Sequence, residues 1–261
     1  MPTPNAAGWC PFANVDHKSP NFWSGYHTRK AVVLHIAQGS YESSRIWLTN
    51  PDSGVSSHFI ISPEGEISQM VSVFDSSWAN GLWWDFGAKR WRAPRLDQAH
   101  APFVDPLWPD IIAGVNPNRY TISVENAGWS GKPVPSAQLD AGVRLLRWLA
   151  ELFHWTYTPS HTLIGHKDIN PLDKAFCPGP SFDLAQIAAR ANAPEIVIRH
   201  YTALVPCPIF EDRRPDAPVA LGGTASLVAG ATVETDDLTS GWLHLSDQLG
   251  FVPSGAFREV S

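Results

Sequence analysis

The 261-residue chain predicts an α/β domain over about residues 25–193, followed by a small all-β module over 196–261. Three observations carry this prediction. Short β-branched runs alternate with helical periods up to about residue 193, the pattern of an α/β unit. A change of composition falls at Ala193-Pro194, where proline and small residues suit a linker. Beyond it come short β-prone runs parted by Gly and Asp turns, with no helical period. The length suits one domain plus a small module.

The elements follow in order. Residues 1–30 are polar, with Pro and Gly, and read as an irregular lead-in. Ala31-Val-Val-Leu-His35 is a buried-strand run, and residues 43–49 form a short helix stopped by Asn50-Pro51. The runs 58–62 and 66–71 flank Pro63-Glu-Gly65 as a hairpin. Residues 78–118 are dense in Trp, Pro and Gly without a clean period. They read as a long loop insertion, expected to form a wall of a groove. Tyr120–Glu125 alternates as a strand. Residues 136–153 carry the clearest helix, with Ser136 as N-cap and Leu139, Val143, Leu146, Ala150 and Phe153 at helical spacing. Residues 162–166 make another short strand, and a last helix spans about 181–192.

Composition excludes several classes. The chain is 44% apolar and only 17% charged, with net charge −6. That balance provides neither the basic surplus of a nucleic-acid binder nor a basic membrane stripe. No run approaches the roughly 20 apolar residues of a membrane span. The first ten residues lack the basic head and apolar stretch of a signal peptide, so the product is expected to be made in the cytoplasm. Three cysteines rule out a full disulfide framework, and Cys10 and Cys207 read as buried or idle thiols. Of the 12 tryptophans, most are expected in the core. The others suit a groove, because flat rings pack against sugars and peptide backbone.

The chemistry-bearing residues stand at strand ends. His35 closes Ala-Val-Val-Leu-His and His166 closes Thr-Leu-Ile-Gly-His. Cys177 follows eleven residues later, in Lys174-Ala-Phe-Cys-Pro-Gly179, whose Pro-Gly forces a turn. Zinc favours imidazole nitrogen and thiolate sulfur, and a catalytic site uses three such ligands plus water. In Thr121–Glu125, Ile122 and Val124 share one face, while Thr121, Ser123 and Glu125 share the other. The Glu125 carboxylate therefore points away from the apolar side. His161 lies an odd offset from His166, on the opposite face, and reads as structural. Asp168 shapes the turn after His166 or orients a ligand.

The segments Val-Val-Leu-His35, Ser-Ser-His58-Phe-Ile-Ile-Ser-Pro-Glu-Gly-Glu-Ile, Thr-Ile-Ser-Val-Glu125-Asn and Gly-His166-Lys-Asp168-Ile-Asn-Pro…Cys177-Pro-Gly resemble the zinc N-acetylmuramoyl-L-alanine amidases, which include phage endolysins and peptidoglycan recognition proteins. The resemblance covers roughly residues 31–185 in the family's order. It implies a central mixed β-sheet flanked by helices, and zinc on His35, His166 and Cys177. It implies Glu125 as the proton carrier. Lys174 is implied as a stabiliser of the oxyanion, although related enzymes place that lysine two residues before the last ligand and here it stands three before. His58 is implied as substrate or supporting contact. Where many relatives have Trp-His-Ala-Gly, this chain has Trp78-Ala-Asn80-Gly81, so Trp78 and Asn80 are expected substrate contacts.

In the tail, Gly230-Ala-Thr-Val-Glu-Thr, Gly241-Trp-Leu-His-Leu and Gly250-Phe-Val-Pro-Ser resemble bacterial SH3-type domains, which often bind cell-wall peptides. The expected whole is an antimicrobial, endolysin-type amidase with zinc as cofactor and peptidoglycan as partner, acting on the wall after release. Two rivals share the fold: a binding-only peptidoglycan receptor, which commonly lacks the cysteine ligand, and an amidase of soluble muropeptides in wall recycling.

Overall fold

The computed structural model describes residues 8–94 and 100–193, and beyond them the backbone of strands between residues 199 and 260. The chain divides into two compact units, Met1–Ala193 and Pro194–Ser261.

A five-stranded sheet forms the centre of the first unit. Its strands are β1 (Ala31–Ile36), β2 (Phe59–Ile61), β3 (Ile67–Gln69), β4 (Thr121–Asn126) and β5 (Leu163–Gly165). The order is β5-β1-β4-β2-β3. The first four in that order run parallel, and β3 closes the edge antiparallel to β2. All six residues of β1 are buried. A parallel strand covered on both faces reads as a continuous apolar run for that reason.

Side-chain alternation sorts each strand between two layers. Val32, Leu34, Ile36, Ile122, Val124 and Leu163 face one core, filled by Leu145, Leu146, Trp148 and Leu149 of helix α2 (Ser136–Phe153) and by Ile187 of α4 (Leu184–Asn192). Ala31, Val33 and Ile164 face a second core with Trp91, Val104, Trp108 and Tyr120. Helix α1 (Tyr41–Thr49) buries Leu48 against Ile60 and Met70. The short α3 (His166–Ile169) follows β5 directly.

Two expectations need correction, the insertion 78–118 and the N-cap of α2. The insertion 78–118 is not one long loop. It folds a three-stranded antiparallel meander, Trp83–Asp85, Arg90–Arg92 and Phe103–Val104, whose buried Trp91 and Val104 help build the second core. The lead-in is irregular as expected, and its described residues 8–30 are anchored to the fold. Cys10 is buried in the first core, and Asn14 pairs with the edge strand through Asn14 N–H to the Ile67 carbonyl and Gln69 N–H to the Asn14 carbonyl. An edge covered in this way cannot pair with another chain. The N-cap of α2 is Pro135, with no side-chain hydrogen bond, instead of Ser136.

In the second unit, a five-stranded antiparallel sheet joins 199–203, 232–239, 242–245, 251–253 and 257–260, and 207–208 pairs with 226–227. The motif residues Gly230, Gly241 and Gly250 lie outside the described residues, as do the side chains of this unit.

The two helix starts differ in a measurable way. Asp183 accepts hydrogen bonds from Ala185 N–H and Gln186 N–H, whereas exposed Ser136 caps nothing. Asp183→Ala is expected to cost about 1 kcal/mol. Ser136→Ala is expected to stay within about 0.5 kcal/mol. Urea denaturation followed by circular dichroism checks both.

Candidate metal centre

The site lies outside the carboxyl ends of the parallel strands, where ligands bind in open α/β sheets. Parity builds it. His35 follows Val33 on the face opposite the helical core, and β1 and β4 pair in register with His35 beside Glu125. On the other flank, Ile164 pairs with Val33. Two residues on, His166 keeps the same side, although it begins α3 instead of closing the strand.

Cys177 arrives from the loop after α3. Lys167 N–H donates to the Cys177 carbonyl (3.0 Å) and Cys177 N–H to the Lys174 carbonyl (2.9 Å). The Ile36 N–H points at the Cys177 Sγ (3.4 Å). Gly165 permits this approach, since a Cβ there would meet Pro178 Cδ at 2.7 Å. The turn is braced from behind, where Asp168 accepts from Gly165 N–H (2.8 Å) and its carbonyl accepts from Leu107 and Trp108 N–H.

His35 Nδ1 and His166 Nδ1 lie 2.9 Å apart. One ligand atom from each of His35, His166 and Cys177 falls within 4.8 Å of the others, and all three residues are buried. His166 Nε2 lies 3.2 Å from the Asn80 carbonyl, which only accepts, so Nε2 carries the proton and Nδ1 the lone pair. That lone pair aims at His35. His35 Nε2 has no hydrogen-bond partner among the described residues.

Burial sets the electrostatics. It pulls His35 well below the ordinary imidazole value, helped by His166, and pulls His166 down to about 3. Both rings are therefore neutral, and the 3.8 Å approach of Glu125 Oε1 to His35 Nδ1 is not an ion pair. Burial pushes the Cys177 thiol up to about 12, with Glu125 adding to the rise. Two neutral imidazoles and a thiol whose thiolate needs a nearby cation fit a metal ion, and the donor set is the nitrogen–sulfur set of a zinc site. Loss of water raises Glu125 to about 7 against the pull of Lys174. Its side chain is 16% exposed, and Oε2 has no partner among the described residues.

These groups open on a cleft of about 640 Å³. Lys174 and Asp173 line one part of it, and Trp78, Ala79 and Ser56 another. Among the wall residues that went unnoticed in the sequence are Gln38, Trp47 and Phe176. Trp47 is 55% and Phe176 78% exposed, and nothing in a short apolar–polar pattern separates such a ring from a core ring.

Two expected substrate contacts sit elsewhere. His58 is fully buried beneath the strands, accepting at Nδ1 from Ser123 N–H (3.0 Å) and meeting the Asp75 carbonyl at Nε2 (3.0 Å). Asn80 is also fully buried. Its Nδ2 donates to Thr121 Oγ1, and only its carbonyl reaches the site, at His166. Neither side chain is available to a substrate. His161 pairs with Asp110 at the surface (2.8 Å) and is not one of the converging His35, His166 and Cys177. Tyr41 is engaged with Glu66 and Ser68.

Residues 25–180 match the family described as N-acetylmuramoyl-L-alanine amidase. N-acetylmuramoyl-L-alanine amidase A of Achromobacter lyticus is 36% identical over 61 residues, and the chain spans 34% of that relative's length and matches it over 23% of its own. Among solved structures, a selenomethionine derivative of AmpD aligns with TM-score 0.51 at 20% identity, covering 70% of this chain and 97% of that one, a likeness of fold. AmiD from E. coli, an N-acetylmuramyl-L-alanine amidase solved with a substrate, aligns with TM-score 0.46 at 22% identity, covering 65% and 60%. With most of its first unit matched, the chain belongs to the N-acetylmuramoyl-L-alanine amidase family.

Proposed function

We propose that the protein is a zinc-dependent N-acetylmuramoyl-L-alanine amidase of endolysin type. Its substrate is bacterial peptidoglycan, and the bond cut joins the lactoyl group of N-acetylmuramic acid to L-alanine. One observation carries this reading: His35, His166 and Cys177 converge beside Glu125 on an open cleft, in a chain of the amidase family.

His35, His166 and Cys177 would hold zinc, which when bound would supply a Lewis acid for the amide carbonyl and for water. The protein's own groups do the rest. Glu125 takes a proton from the attacking water and gives it to the departing nitrogen, and a carboxyl near neutrality suits both transfers. The C–O bond forms first and leaves negative charge on the former carbonyl oxygen; the C–N bond then breaks, giving a carboxylate on the lactoyl group and a free amine on L-alanine. Lys174, exposed at the cleft, places positive charge near the oxygen that becomes anionic. Trp47, Trp78 and Phe176 offer flat faces to sugar rings and stem peptide. The unit Pro194–Ser261 serves as an SH3-like wall-binding module, and the enzyme reaches the wall after release from the producing cell. No helix among the described residues is long and apolar enough to cross a membrane.

Purified protein is expected to carry about one zinc per chain, and Cys177→Ser to lose most of it, because a hydroxyl is a poor zinc ligand. Metal analysis decides this, and full zinc in the variant removes Cys177 from the site. Glu125→Gln keeps the shape but cannot accept a proton. It should retain zinc and lose roughly 100- to 10,000-fold in turnover, measured by mass spectrometry of released products. Near-normal turnover would assign the proton transfer to another group. A protein ending at Ala193 should cut a small soluble muropeptide at close to the full rate and intact sacculi more slowly, since tethering raises local enzyme concentration. Equal rates on sacculi would leave the second unit without this role.

A further inference from the structure

The loop from Trp78 to Gly81 holds one metal ligand from behind, and its hydrogen bonds lead to a residue outside the cleft. The Asn80 carbonyl meets His166 Nε2 at 3.2 Å. Because a carbonyl only accepts, this contact selects the tautomer that leaves the Nδ1 lone pair facing His35. The direction of the carbonyl depends on what fixes the peptides around it. Asn118 Oδ1 accepts from both Ala79 N–H (3.2 Å) and Asn80 N–H (2.9 Å). Asn118 is itself held, its N–H donating to Asn116 Oδ1 (2.9 Å) in the one-turn helix Pro117–Arg119. Thr121 Oγ1, from the start of β4, accepts from Asn80 Nδ2 (2.9 Å) and donates to the Pro117 carbonyl (2.8 Å), which ties the same turn to the same loop.

We infer that Asn118 is a positioning residue for the metal ligand His166, acting through the main-chain carbonyl of Asn80. The inference rests on the zinc reading above. Asn118 is 5% exposed and touches neither a metal ligand nor the cleft, so its effect passes wholly through the loop. Without its carboxamide oxygen, two main-chain N–H groups lose their acceptor. The peptide that presents the carbonyl is then held through the Asn80 side chain on Thr121 and the Leu82 carbonyl on Asn116, and the contact that selects the His166 tautomer weakens. Groups that orient a ligating histidine typically contribute 10- to 100-fold in metal affinity.

The experiment measures zinc affinity of the full chain by chelator competition at fixed pH, with the His166 tautomer read by nitrogen NMR of the metal-free protein. Asn118→Leu keeps the size but removes the acceptor. It is expected to weaken zinc binding about 10- to 100-fold and to shift His166 away from the Nε2–H form. Asn118→Asp keeps an acceptor oxygen in place and is expected to stay near the parent affinity and tautomer. Should Asn118→Leu fail to fold, Asn118→Ser, whose hydroxyl is too short to span both amides, carries the same expectation as Leu. Parent-like affinity in the Leu or Ser variant overturns the inference, even if thermal stability falls. So does an Asp variant as weak as Leu. A parent protein that binds no zinc overturns the metal reading itself, and the inference with it.

Discussion

The parallel pairing of Ala31–Ile36 with Thr121–Asn126 is the constraint from which the site follows. Its register sets His35 beside Glu125 and, in the same stroke, Leu34 beside Val124 in the helical core. A slip of one residue would turn every side chain of the strand to the other face, placing His35 among leucines and Ile36 at the cleft. Apolar burial on both faces therefore enforces the placement of the polar pair. Side chains lock the register further. Asn126 Nδ2 donates to the His35 carbonyl, Ser57 Oγ donates to the Ser123 carbonyl, and His58 receives the Ser123 N–H. His58 thus belongs to the architecture of the Glu125 strand.

The same exclusion of water gives the site its chemical character. It neutralises both imidazoles and raises the thiol and the carboxyl. The neutral rings are ready ligands as they stand. The thiol is not, since its anion is costly in this environment without a cation beside it. A single physical cause thus leaves two nitrogens free to ligate at once and makes the sulfur conditional on a cation beside it.

The central fold was legible where burial leaves a periodic trace. Ala31–His35 reads as a strand because both of its faces are covered, and residues 136–153 read as a helix because one stripe is apolar. Alternation placed Glu125 on the polar face of its strand, while its role and the grouping of His35 with His166 and Cys177 drew on motif wording as well as spacing. What escaped was short or main-chain. The meander strands span two or three residues each, too few to show a period, and their tryptophans serve core and surface alike. The lead-in looks irregular because its contacts run through single residues such as Asn14 and Cys10. His58 carried a motif, yet a motif tells that a residue matters without telling which way its ring faces.

The Asn80 carbonyl that meets His166 has a broader implication. Every amino acid carries a carbonyl, so this role imposes no alphabet at position 80. What constrains the position is its full burial, its N–H to Asn118 and the Thr121 contact of its side chain. The demand for a fixed ring orientation is displaced to a residue 38 positions along the chain, at Asn118, where an acceptor of one particular length is required. The cleft lining alone therefore leaves out the residue that, through two main-chain amides, holds the ring from outside it.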